Sequence, residues 1–198
     1  MTGTCIRILA VLLLVLAPAR LLAAEPGQSL KILLSPGPTE IKIKALEGGV
    51  WEAKGAGGQY RLEPGKGDKL IFTLPDQTRI EAVVQVDRAK FKRNGDLWLG
   101  VKLYPDKIKV DLTESGSGDW EYKDKGDKIK VYRGEGQTGK VKYYPETGKL
   151  KAKDNDEKEV AVIKGAGRPS AVLAPFLSTG LSPERQVCLA LLLLHLGR

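Results

Sequence analysis

"DWEYKDKGDKIKVYRGEGQTGKVKYYPETGKLKAK", residues 119 to 153, alternates apolar and charged side chains, with turn-forming residues between its runs. A period of two puts alternate side chains on opposite faces of an extended chain, so these runs are strands that bury one face and wet the other. "TEIKIKA" (39–45), "DKLIFTL" (68–74), "TRIEAVVQV" (78–86) and "DKIKVDL" (106–112) read the same way. The alternation predicts roughly eleven strands between Leu30 and Lys164 and no helix there. The expected class is mainly β and antiparallel.

The stretch also repeats an earlier one. Laid without gaps over residues 36 to 67, residues 105 to 136 share eight identities in 32, among them Trp51 with Trp120, Glu52 with Glu121 and Lys54 with Lys123. Only three tryptophans occur in the chain and two of them coincide, which points to duplication of a unit of about 70 residues. Two repeated antiparallel units, barrel-like or sandwich-like, are therefore expected over 25–98 and 99–164. Trp51 and Trp120 precede glycine-rich turns, where a large ring covers the end of a small sheet and supplies much of its buried area. Stacking against a sugar ring is the functional alternative.

After Gly165 the composition changes. "GAGRPSAVLAPFLSTGLSPERQVCLALLLLHLGR" (165–198) is apolar and contains no lysine. Ser182 can cap a helix, Pro183 fits its first position, and Val187 to Leu196 follow, apolar on every face. Such a helix is buried or binds something, and it is too short to span a bilayer. Three readings stand: a helix packed against the β units, a helix lying on a membrane or partner, or an end produced by truncation or a shifted reading frame.

At the other end, residues 1–24 have the layout of a secretory signal: Arg7, an apolar run from Ile8 to Ala17, and small residues up to Ala24. Its removal would lower Lys plus Arg from 32 to 30 against 24 acidic residues, leaving a net charge of +6. An exported protein of this charge is suited to anionic polymers and surfaces. Cys5 would leave with the signal, so Cys188 would remain alone and no intrachain disulfide could form.

The chemistry available is narrow. Histidine occurs once, at His195, so neither a histidine-based triad nor a histidine-ligated zinc site can be assembled in the β region. "GKGDK" (65–69) precedes no helix and reads as a hairpin turn rather than a phosphate loop. Asp154, Asp156 and Glu157 lack the spacing of a calcium loop and read as a charged hairpin tip. No cofactor or metal is implied. Nucleic acid is not assigned as a partner, because charge alone points to it.

Three stretches resemble exported proteins of the SpoIID/LytB family (stage II sporulation protein D and amidase enhancer). They are "LKILLSPGPTEIKIKALEGGVWEAK" (30–54), "YRGEG" (132–136) and "GKLKAKDNDEKEVAVIKGAGRP" (148–169). The resemblance implies a partner in peptidoglycan, cut by a lytic transglycosylase reaction, or an amidase that the protein enhances. Where that family has its catalytic glutamate this chain reads Gly167-Arg168-Pro169, so no catalytic residue is carried over; Glu157 and Glu159 are the nearest acids. The expectation is an exported protein, periplasmic, wall-associated or extracellular, that binds peptidoglycan or an attached polyanion without cutting it. Its candidate contacts are Trp120, Tyr122, Lys123, Lys125, Lys128, Lys130, Tyr132 and Arg133, since cations and aromatics together stack on and hydrogen-bond sugars and anionic polymers. A lytic enzyme or amidase enhancer is the alternative. A further one is an envelope scaffold whose C-terminal helix contacts the membrane.

Overall fold

The structure, a computed structural model, describes residues 27–37, 39–55, 57–113, 119–167 and 170–198. The expected signal segment and the Arg168-Pro169 step lie outside the described residues. The first seven strands are β1 (Ser29–Leu34), β2 (Glu40–Ala45), β3 (Trp51–Gly55), β4 (Gly58–Pro64), β5 (Lys69–Thr73), β6 (Arg79–Val84) and β7 (Arg88–Arg93). The rest are β8 (Asp96–Leu103), β9 (Lys107–Asp111), β10 (Trp120–Asp124), β11 (Lys128–Arg133), β12 (Gly136–Tyr144), β13 (Lys149–Asp154) and β14 (Glu159–Lys164).

Each strand pairs antiparallel with the next, and β14 returns to β1 through Ile32 opposite Ile163 and Leu34 opposite Ala161, closing a single barrel. Among the described residues fourteen strands form where the alternation suggested about eleven, because glycine-containing strands such as "WEAKG" and "DLWLGVKL" hide their period. The strands join one ring rather than two sheets. The expected boundary at 98/99 falls inside β8, at a bulge where its pairing with β7 shifts register, and β8 goes on to pair with β9 from Gly100 to Leu103.

Local chemistry makes the hairpins tight. Asn94 and Gly95 link β7 to β8 with φ of 53° and 92°, the left-handed pair that matches the twist of antiparallel strands. Inward positions are apolar: Ile41 and Ile43 on β2, Tyr60 and Leu62 on β4, Phe72 on β5, Phe91 on β7, Trp120 and Tyr122 on β10 are all buried. Outward positions are mostly Lys, Arg and Glu, with apolar exceptions such as Ile71 and Val83. That is the reverse of a membrane-spanning barrel, which turns its apolar side chains outward.

A ring of fourteen strands spaced ~4.8 Å and tilted ~40° is roughly 28 Å across, too wide for the strands' own side chains to fill. The C-terminal segment fills it. A 3-10 segment, Ala171–Leu177, packs against β11 to β14; the chain then turns, and helix α1 (Pro183–His195) returns alongside β3 and β4. Ser182 caps α1 by accepting from the Arg185 amide, with Pro183 at the start, as the sequence indicates. At about 20 Å, α1 runs much of the barrel's length. Residues 187 to 193 are each at most 1% exposed, so the apolar helix is packed inside the barrel and its apolar face is not presented to a membrane. Gly139 marks how tightly the segment fits: a Cβ there would lie 2.4 Å from the Lys153 carbonyl oxygen and 3.0 Å from Leu177.

Candidate functional site: a lysine wall

The pleat separates the eight residues expected to form one surface. Trp120 and Tyr122 face the interior, each 1% exposed, and are core residues. Tyr122 shares a 2.7 Å hydrogen bond with Ser178 of the interior segment. Arg133 sits at the rim, its guanidinium 5.4 Å from the Trp120 ring and donating to the Thr179 carbonyl. Lys125 is exposed in the β10–β11 turn. Lys123, Lys128, Lys130 and Tyr132 alone share the outer wall.

Register enlarges that wall. Lys107 stands opposite Lys123, Lys123 opposite Lys130, Lys130 opposite Lys140, and Lys140 opposite Lys153, a row of five lysines on five neighbouring strands. A second row runs Lys128, Lys142, Lys151. A third pairs Lys149 with Lys164. Like charges directly opposed destabilise a sheet. Elsewhere on the ring opposed cations form shorter rows, Lys31–Lys42–Lys54 and Arg88–Lys102–Lys109, and acids sit among the bases: Arg61 pairs with Glu52 and Glu63, Lys69 with Glu81, and Lys31 and Lys42 with Glu40.

Three glutamates partly offset the rows. Glu121 lies 3.4 Å from Lys107 and 3.0 Å from Lys123. Burial pushes its carboxyl upward, but the two lysines hold it below its ordinary value. Glu157 bridges Lys140 and Lys153, and Glu159 lies 2.7 Å from Lys151. Among the described residues, Lys130, Lys142, Lys149 and Lys164 have no acidic partner within 4.0 Å. Many acids of this half sit instead in exposed turns, such as Asp106, Asp127, Glu135 and Glu146. Aromatic rings punctuate the wall: Lys123 lies 4.8 Å from the Tyr132 ring, and Lys142 and Lys151 lie 5.7 and 6.0 Å from Tyr144.

The acids nearest the expected catalytic position are committed to the wall. The Lys140 bond, then Lys153, holds Glu157 below its ordinary pKa, the direction opposite to that of a general acid. Asp154 accepts from the amides of Asp156 and Lys158, as a charged hairpin tip does. The sequence reading missed Lys107, Lys140, Lys142, Lys151, Lys153 and Tyr144. The period of two already assigned them to an outward face, but which residues of adjacent strands stand opposite one another depends on turn geometry and bulges, such as the shift between Val131 and Tyr132.

No family model, curated protein or solved structure matches this chain.

Proposed function

We propose that this protein is an exported, wall-associated barrel that binds anionic polymers attached to peptidoglycan through the outer wall of β9 to β13, without cutting them. The observation that carries the reading is the register-matched row Lys107, Lys123, Lys130, Lys140, Lys153. Opposed lysines cost the free barrel stability that an extended polyanion would return by neutralising them. Tyr132 and Tyr144 add flat faces for sugar rings beside those charges. The signal-like residues 1–24 and the short-motif resemblance to SpoIID/LytB proteins support the same compartment and polymer. We also read the ring as a duplicated seven-strand unit: the sixty-nine-residue offset from Trp51 to Trp120 carries β3 onto β10 and β4 onto β11. Duplication lets one half keep a short row of three opposed lysines while the other extends its row to five.

The test is sedimentation of the protein with insoluble peptidoglycan sacculi, either carrying their anionic polymers or chemically stripped of them, at 50 and 300 mM salt. Binding is expected to intact sacculi only, to fall at least tenfold at the higher salt, and to fall at least tenfold when Lys130, Lys140 and Lys142 are changed to Gln together. Equal binding to stripped sacculi, or binding indifferent to salt, would overturn the reading. Muropeptides in the supernatant would favour the lytic alternative.

A further inference from the structure

A second feature lies at the barrel end where α1 begins. There a cavity of about 410 Å³ is lined by Tyr60, Asp76, Arg93, Trp98, Glu184 and Arg185, among other residues. That volume is within the range of small-molecule sites.

Arg185 is preorganised. Its Nε donates to the Trp98 carbonyl at 3.1 Å and its guanidinium lies 5.1 Å from the Trp98 ring, so the plane of the fork is fixed from two sides. Among the described residues no carboxylate comes within 4.0 Å of it, although the group is half-buried; burial lowers its pKa, Glu184 nearby opposes that shift and Arg93 adds to it. Arg93, on the same cavity, has among the described residues only a long ion pair of 3.9 Å to Asp76. A fixed guanidinium with free donors, seconded by another, is the recognition element for a carboxylate.

The opposite sign lines the same space. Glu184 forms no ion pair within 4.0 Å among the described residues, yet it is close enough to Tyr60 to help burial push that phenol up to about 12. Glu184 and Asp76 would repel a polyanion or a phosphate dianion, whereas a ligand carrying both charges satisfies both walls. Tyr60 and Trp98 supply apolar surface between them. We infer that this cavity binds a zwitterion of amino-acid size, its carboxylate on Arg185 and Arg93, its ammonium toward Glu184 and Asp76.

The site is separate from the lysine wall and is tested separately. Isothermal titration of the whole protein would use alanine and phenylalanine as probes, with propionate and ethylamine as half-ligands. At least one amino acid is expected to titrate, with each half-ligand at least tenfold weaker. Arg185→Lys, which keeps the charge but loses the fork, and Glu184→Gln should each weaken binding at least tenfold. Arg93→Gln, at the exposed rim, provides a variant that leaves α1 undisturbed and should also weaken it, whereas Lys130→Gln should leave it unchanged. No titration by either amino acid, propionate binding as tightly as alanine, or unchanged affinity in folded Arg93→Gln would overturn the inference.

Discussion

Tyr122 and Ser178 join the wall of the barrel to what fills it. The Ser178 hydroxyl can donate to the Ala174 carbonyl at 3.3 Å and accept from the Tyr122 phenol, all within the buried interior. The two ends of this chain of bonds are unequal. Tyr122→Phe removes a donor while Ser178 keeps Ala174, so it should cost about 1 kcal/mol; Ser178→Ala strands a buried phenol and should cost about 1–3 kcal/mol. Urea unfolding of both variants checks the order, and a larger loss for Tyr122→Phe would contradict it. At this scale the sequence was informative in part: core was the preferred reading of the two coincident tryptophans, whereas Tyr122, expected beside Trp120 as a ligand contact, is a core residue because it shares the inward face of β10 with Trp120. It was uninformative about Ser178, because a serine between apolar runs shows nothing of a partner 56 residues away.

Helix α1 is the element on which the interior depends, and two of its side chains report on its seating. Cys188 is fully buried, and burial, with Glu184 adding, pushes its thiol pKa up. Alkylation by iodoacetamide at pH 8 should therefore wait for the helix to leave the barrel, whereas an exposed cysteine would label at once. His195, near the helix end, is shifted the other way: burial lowers its pKa below the ordinary 6.5. The unfolded chain then binds the proton more readily than the folded one. Stability from the neutral ring is complete above about pH 6.5 and is lost as pH falls through that value toward the folded pKa. Unfolding free energy should decline from pH 7 to pH 5, Cys188 labelling expressed relative to that of the unfolded chain at the same pH, which cancels the falling thiolate fraction, should rise over the same window, and His195→Gln should flatten both trends. An unchanged slope in that variant would assign the effect to other groups. The helix itself was legible from Ser182, Pro183 and the apolar run, but its location was not.

At the scale of the whole molecule, the asymmetry of the outer surface sets stability against binding. Lys130 stands between Lys123 and Lys140, so Lys130→Glu would place an acid between two lysines. That variant should gain about 0.2–1 kcal/mol at low salt, lose part of that gain as salt screens the pairs, and bind sacculi more weakly. Thermal unfolding at 20 and 500 mM salt, with the sedimentation assay, measures both sides. A variant that is less stable and binds equally well would remove the case that the lysine rows are held for a ligand.

Alternation with a period of two is a local property, set by the geometry of an extended chain, and it determined by itself that the region between Leu30 and Lys164 is built of strands with one wet and one apolar face, though it showed only about eleven of them. Capping and composition likewise determined the C-terminal helix. Only the tertiary structure decided that β14 closes on β1, because that pairing joins segments more than a hundred residues apart and no local pattern encodes it. Closure also settled the helix, since a fourteen-strand ring leaves a space that something apolar must fill. Finally, it assembled the lysine rows, because the residues that stand side by side depend on register between strands, which turns and bulges set and single-strand periodicity does not.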